Sequence, residues 1–165
     1  MKLRMALMAV LLVMVIAVAA VCLWRQPLLV SVDDVESVVV SVTGKGHKEI
    51  TDPAQQKQII KLVNDAKRQK TSEDLGKGWN VGVYVFYADG TRETLWFAYE
   101  YPEDVSEVGV YEPTGEYMMT YQDDLDYRIA DGTIVSLLQL CESLDTPYSA
   151  GILPTERMKE EGLIE

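Results

Sequence analysis

Hydrophobic positions divide the chain into two unlike parts. Residues 5–24 read MALMAVLLVMVIAVAAVCLW, with no charge, proline or glycine. At about 1.5 Å per residue such a run forms about 30 Å of helix, the thickness of the hydrocarbon core of a bilayer. Beyond it, apolar positions come in short periodic groups separated by turns, which is typical of a folded domain. The pattern predicts a transmembrane helix followed by a domain.

Cations flank the apolar run and indicate its orientation. Lys2 and Arg4 precede it and Arg25 follows it. Because positive charges collect on the cytoplasmic side of membrane helices, residues 1–25 are predicted to be a single-pass signal anchor with a cytoplasmic N-terminus. Residues 5–24 then make the contact with the cell membrane, and the rest of the chain is extracytoplasmic.

Two alternatives to a retained anchor stay open. A cleaved signal peptide has a shorter apolar stretch of about 7–15 residues and a small-x-small cleavage site. A bacterial lipoprotein would be acylated at Cys22, although Val21 stands where a small residue is expected just before the cysteine. Both alternatives still place the domain outside the cytoplasm.

The chain after the anchor is predicted to contain a stalk over residues 26–34, one domain over 35–145 and an acidic, loosely ordered tail over 146–165. The domain begins with Val35–Thr43, where valine alternates with polar residues as in a strand with one buried face. A turn over residues 44–47 follows this strand.

Asp52 and Pro53 predict the start of a helix, as its N-cap and first helical residue. The basic run over residues 67–70 is expected to end that helix, because cations suit the negative end of the helix dipole. Its core stripe follows the i, i+3, i+4, i+7 rule and comprises Ile59, Leu62, Val63 and Ala66.

Two hairpins and a second helix complete the predicted domain. Asp89-Gly90 joins Trp79–Tyr87 to Arg92–Glu100, and Thr114-Gly115 joins Val108–Glu112 to Glu116–Tyr121. The second helix carries an apolar stripe of Ile134, Leu137, Leu138 and Cys141. The order is β-α-ββ-ββ-α, which predicts an α+β domain with a meandering antiparallel sheet and two packed helices.

The first hairpin supplies the candidate binding surface. If Asp89-Gly90 is a two-residue loop, Val81 faces Ala98, and both sides of the hairpin are largely apolar or aromatic. Both helices packing on the valine side would leave an exposed aromatic patch that binds a partner; the alternative is that a helix covers it. The patch comprises Tyr84, Phe86, Phe97 and Tyr99.

The capped helix, ITDPAQQKQIIKLVNDAK, and the Tyr-rich hairpin, VYVFYADGTRETLWFAYE, carry a resemblance over roughly residues 35–140. The chain resembles small uncharacterised domains carried on membrane anchors or lipoprotein signals in Gram-positive bacteria. That group has no assigned activity, so no functional residues are carried over. The resemblance implies a bacterial, surface-exposed setting.

Charge narrows the choice of partners. All 26 Asp and Glu lie beyond residue 25, and three of the 15 Lys and Arg flank the apolar run, which leaves 12 cations and a net charge of −14 for the rest. Such a surface repels phosphate backbones and anionic lipid headgroups, so we expect no nucleic-acid partner. The expected partner is a protein or a component of the cell envelope.

Candidate catalytic and metal-binding residues are each better explained as ordinary structure. His47, the single histidine, lies in a glycine-rich turn, and Cys141 falls on an apolar helix stripe. The acidic loop 123–131 has a cation, Arg128, where a calcium ligand is needed. We therefore predict no catalytic residue, no cofactor and no metal.

These patterns favour a membrane-tethered, extracytoplasmic, non-enzymatic binding module of unknown ligand. The alternative is a small cell-envelope hydrolase or metal-dependent enzyme that uses acidic loop carboxylates such as Glu100, Glu103 and Asp104. A third interpretation is an accessory subunit whose transmembrane helix also contacts a larger membrane protein.

Overall fold

A computed structural model of the chain describes residues 14, 28–73, 78–102, 109, 111–120, 125–130 and 132–165. Within these residues the chain forms an α+β domain, as predicted, with a seven-stranded antiparallel sheet and three helices. The strands are β1 (Val35–Val42), β2 (Gly46–Ile50), β3 (Arg68–Thr71), β4 (Val81–Tyr87), β5 (Arg92–Glu100), β6 (Gly115–Thr120) and β7 (Leu125–Ile129). The helices are α1 (Pro53–Asp65), α2 (Thr133–Ser143) and α3 (Thr155–Glu160).

The predicted transmembrane segment, residues 5–24, lies outside the described residues except for residue 14. None of the helices that are described combines the length and the apolar character needed to cross a bilayer. The anchor therefore stays a prediction from sequence.

The strands lie in the order β2-β1-β4-β5-β6-β7-β3. Strands β4 to β7 form a meander, the hairpin β1-β2 extends it on one side, and β3 pairs with β7 on the other. Helix α1 follows β2 and precedes β3, so it connects the two edges of the sheet.

Helices α1 and α2 cover one side of the sheet, which we call the helix face. Its core contains valines of β1 and β4, together with side chains from both helices and from strands β5, β6 and β7. Burial of these side chains is the main stabilising contribution to the fold. Its largest fully buried members include Phe97, Leu95, Met118, Ile59, Ile134 and Leu137.

The start of α1 agrees with the sequence prediction. The Asp52 carboxylate accepts hydrogen bonds from the backbone N–H groups of Ala54 (3.1 Å) and Gln55 (2.9 Å). Pro53 occupies the first turn, where its missing N–H costs nothing. Local capping chemistry therefore sets this boundary.

The end of α1 was predicted wrongly. The helix stops at Asp65, and the basic run that was expected to end it instead forms the edge strand β3. Arg68 of that strand is buried, and its guanidinium donates to the Asn64 carbonyl at 3.0 Å. Pairing with β7 thus outweighs the helix preference of the Lys-Arg-Gln-Lys run.

The second hairpin was also predicted wrongly. Residues 109, 111 and 112 are not in a strand, and β6 pairs with β5 and β7 instead. The turn glycine of the predicted hairpin, Gly115, is the first residue of β6 and lies opposite Glu100. A turn was predicted over residues 44–47 and no strand after it, but Gly46–Ile50 form β2, which pairs with β1.

The register of the β4–β5 hairpin differs by one residue from the prediction. The backbone N–H of Tyr87 donates to the Thr91 carbonyl, so the loop has three residues, with Gly90 at φ 83°. Val81 therefore lies opposite Phe97 rather than Ala98. A shift of one residue moves every side chain of β5 to the other face of the sheet.

Candidate functional site

The register shift separates the four aromatic residues that were predicted to share a face. Phe97 is buried in the core of the helix face, and Tyr99 packs against the same core. Tyr84 and Phe86 lie on the opposite side of the sheet, which we call the outer face. The prediction of one patch made of all four residues is therefore wrong.

Tyr84 and Phe86 are also not exposed. They are 3% and 6% accessible and form a small cluster with Val39 and Leu153, against which Trp96 and Met158 pack. Burial raises the pKa of the Tyr84 phenol well above its ordinary value, so this side chain is neutral at physiological pH. The cluster makes the outer face a second, smaller core.

The C-terminal segment covers this cluster. Residues 146–165 were predicted to be a loose tail, but they include α3, and Leu153 is 4% accessible on the sheet. His47 and Ser149 exchange backbone hydrogen bonds of 2.9 and 2.8 Å, which fix the start of the segment to strand β2. A segment of the chain's own, and not a partner, therefore occupies the predicted aromatic surface.

Charged side chains hold the C-terminal segment in place. Arg157 lies 4.3 Å above the Phe86 ring and pairs with Glu36 at 3.2 Å. Arg92 of β5 forms an ion pair with Glu161, just after α3. These contacts are polar and partly exposed, so they depend on salt more than apolar burial does.

The sequence analysis missed a pair of partly exposed tryptophans on the outer face. The rings of Trp79 and Trp96 are 4.6 Å apart, and Trp96 also meets Tyr84 edge-on at 5.3 Å. Gly82 lies opposite Trp96, and a Cβ there would be only 3.0 Å from the indole ring. The glycine lets the ring lie against the strand, and the Gly82–Trp96 pairing becomes visible only once the register is known.

The predicted stalk is folded onto the domain. The Asn64 side-chain oxygen accepts from the backbone N–H groups of Leu29 (2.9 Å) and Val30 (3.1 Å), and its amide donates to the Val30 carbonyl at 2.8 Å. Val30 is 1% accessible. Further along, the Ala88 N–H donates to the Asp34 carbonyl. The domain therefore begins near residue 29 rather than at residue 35.

His47 and Lys48 have structural partners. The His47 ring is within 3.2 Å of the Gly151 carbonyl, which belongs to the covering segment. The Lys48 ammonium is buried and donates to the carbonyls of Cys141 (2.6 Å) and Leu144 (3.2 Å). A cation is favourable at the C-terminal end of a helix, so Lys48 caps α2.

Cys141 behaves as the sequence suggested. It is fully buried among apolar side chains, and this burial raises the pKa of its thiol to about 11. Because the thiolate is the reactive form, such a cysteine is a poor nucleophile at neutral pH.

Two carboxylates, those of Glu73 and Glu100, converge on a cation. Arg128 of β7 donates to both oxygens of Glu100 (2.6 and 2.7 Å) and to Glu73 (2.6 Å). These hydrogen bonds raise the pKa of the Arg128 guanidinium above its ordinary value. Glu100, a candidate for acid–base chemistry, is thus held in an ion pair, with both of its oxygens bound by one guanidinium nitrogen.

The surface of the domain has two clefts of interest. One of about 430 Å³ lies between α1 and α2, and its charged lining residues, Lys61 and Asp65, pair with each other. The other, of about 510 Å³, lies between the β4–β5 loop and residues 29–34, which we call the docked segment. Its Asp89 accepts hydrogen bonds from Thr91, which lower the pKa of that carboxyl.

Among the residues whose positions are described, no group of three or more His, Cys, Asp or Glu side chains is arranged to hold a metal ion. Part of the acidic loop 123–131, namely residues 123, 124 and 131, lies outside the described residues.

Comparison with known proteins gives no match to a protein family, a curated protein or a solved structure. The resemblance to anchored domains of Gram-positive bacteria thus stays an expectation from sequence.

Proposed function

We propose that the protein is a membrane-tethered, extracytoplasmic, non-enzymatic binding or accessory module. The observation that carries the proposal is the uncharged run over residues 5–24, preceded by Lys2 and Arg4 and followed almost at once by a folded acidic domain. Twenty apolar residues match the thickness of a bilayer, and the flanking cations favour a cytoplasmic N-terminus.

The docked segment adds a geometric constraint to this proposal. Only residues 25–28 separate the apolar run from Leu29, whose N–H is bound by Asn64. The five steps from residue 24 to residue 29 span at most about 18 Å, so a tether at residue 24 holds the domain close to the membrane surface. A domain held in this way suits a module that acts on a membrane-bound or membrane-proximal partner.

The tether is tested by expressing the full chain in a Gram-positive host and extracting membranes with alkaline carbonate. We expect the chain to stay in the membrane fraction, with its domain open to added protease in intact protoplasts. A variant with Leu12→Lys and Val15→Lys is the control, because two charges at the centre of the run oppose insertion. A soluble wild-type chain, or a domain protected from protease, would overturn the tether.

The binding role is tested separately by crosslinking in intact cells, followed by identification of the captured protein. Replacing residues 5–24 with an unrelated apolar helix distinguishes two versions of the role. A module that binds through its domain keeps its crosslinks after this exchange, whereas an accessory subunit that binds through its transmembrane helix loses them. Mass spectrometry of the mature N-terminus shows whether the run is retained, cleaved or acylated at Cys22.

A further inference from the structure

One segment of the acidic domain is basic. Residues 53–71, which form α1, β3 and their connection, contain five Lys and Arg and one acidic residue. The rest of the chain beyond residue 25 holds seven Lys and Arg against 25 Asp and Glu. The net charge of the domain therefore hides a strong asymmetry between this segment and everything else.

Four of the five cations of this segment are exposed. Lys57 and Lys61 are exposed and lie on the same stripe of α1 as Asn64, at positions i, i+4 and i+7. Lys67 and Lys70 are exposed just beyond the helix, whereas Arg68 is buried. We call these four lysines, Lys57, Lys61, Lys67 and Lys70, the lysine surface.

The chain reaches the domain at the same place. Asn64, which binds Leu29 and Val30, is one helical turn from Lys61 and three residues from Lys67. At about 1.5 Å per residue, even Lys57 is only about 10 Å from Asn64 along the helix axis. All four lysines therefore lie within seven residues of Asn64, to which the segment that follows the apolar run is attached.

Acidic side chains of the docked segment lie further from that point of attachment. Asp33 and Asp34 follow Val30 and adjoin the β4–β5 loop, beside Asp89. Asp65 pairs with Lys61 and lowers its effective charge. Attraction to an anionic surface acts within a Debye length, about 8 Å at physiological salt, so the cations nearest the tether dominate.

We propose that the lysine surface lies against anionic lipid headgroups and orients the domain on the membrane. The inference rests on the proposed tether, because it needs residue 24 at the membrane interface. Charge complementarity then selects the lysine surface as the side that faces the lipid, with the carboxylate-rich remainder turned outward. It also refines the expectation that the acidic domain repels anionic lipid, which holds for the average charge and not for this segment.

The test places the full chain in lipid nanodiscs that contain a lipid with a gadolinium-chelating headgroup. Backbone amide signals are then broadened in proportion to their proximity to the headgroups. In discs of phosphatidylcholine mixed with phosphatidylglycerol, we expect the amides of residues 57–70 to be broadened most. In discs of phosphatidylcholine alone, or at high salt, this selective broadening should be lost.

Charge variants give the matched comparison. Lys57→Gln combined with Lys67→Gln should abolish the selective broadening in anionic discs. Lys45→Gln combined with Lys159→Gln removes the same charge from exposed sites outside the lysine surface and should leave the broadening intact. All four positions are exposed, and thermal unfolding of each variant checks that the domain is still folded.

The possible outcomes separate the inference from the proposed tether. A chain that does not enter the discs overturns the tether itself. A chain that inserts but shows equal broadening on all sides, or broadening unaffected by lipid charge, overturns only the orientation. Loss of protein crosslinks in the Lys57/Lys67 variant, with headgroup proximity unchanged, also overturns it, because the lysines would then serve an acidic protein.

Discussion

The two faces of the sheet are stabilised in different ways. The helix face buries a continuous apolar core against α1 and α2, and its central residues are inaccessible to solvent. On the outer face the apolar cluster has four buried members: Leu153 of the C-terminal segment packs on Val39, Tyr84 and Phe86, and a six-residue helix follows it. Ion pairs and cation–ring contacts supplement this small cluster. The comparison indicates that the helix face provides most of the stability, while the outer face is covered only by the short C-terminal segment.

The largest expected effect is on the helix face. Phe97→Ala should lower the free energy of unfolding by about 3–5 kcal/mol, because it leaves a cavity in a fully buried core. Urea unfolding followed by far-UV circular dichroism measures this loss. A loss below about 1 kcal/mol would mean that the core readily collapses around the cavity and that this face is not the dominant one.

A smaller loss is expected on the outer face. Leu153→Ala should cost about 2 kcal/mol, the low end for buried leucine, because its cluster is small and near the surface. The same urea titration applies. If this variant loses as much stability as Phe97→Ala, the two faces contribute equally and the comparison fails.

Gly82→Ala tests the packing of the Trp96 ring against strand β4 at Gly82. The added methyl group would lie 3.0 Å from the indole, so the ring must move, at a cost of about 1–2 kcal/mol. The near-UV circular dichroism of the tryptophans should change as well. In a Trp96→Leu background the same substitution should cost markedly less, and an unchanged cost would show that the strand rather than the ring is disturbed.

The smallest loss of stability is expected for a substitution in the C-terminal segment that covers the outer face. Arg157→Met keeps most of the side-chain volume over Phe86 but removes the cation–ring contact and the ion pair with Glu36. We expect a loss of about 0.5–1 kcal/mol, since such partly exposed contacts are individually weak. The loss should shrink at high salt, and Lys159→Met, an exposed neighbour, should have almost no effect. A salt-independent loss would assign the role of Arg157 to packing and to its hydrogen bond with Ser37.

Sequence information was sufficient where the determinants are local. The Asp52-Pro53 start of α1 depends on side chains within three residues of each other, and it was predicted correctly. The apolar stripe of α2 was also identified, because Ile134, Leu137 and Cys141 repeat with the helical period and are all buried. The lack of polar alternation in the first hairpin indicated two apolar sides, but it did not decide between an exposed and a covered second side.

Predictions failed where distant parts of the chain decide the outcome. Asp89-Gly90 is compatible with loops of two or three residues, and only the pairing of the whole hairpin distinguishes them. The charged β3 has little strand preference of its own and depends on its partner β7. The candidate binding surface was lost for a similar reason, because the residues that cover Tyr84 and Phe86 lie about seventy positions further along the chain.

Helix α1 links the two edge strands of the sheet, β2 and β3, so the positions of these strands depend on each other. Six spacings of about 4.8 Å make a flat seven-stranded sheet about 29 Å wide, whereas a 13-residue helix is about 20 Å long. Thr51-Asp52 and Ala66-Lys67 are the short connections that join the helix to β2 and β3. An insertion or deletion within α1 would therefore be felt at both margins together. The length of this helix is therefore matched to the distance between the two edge strands that it joins.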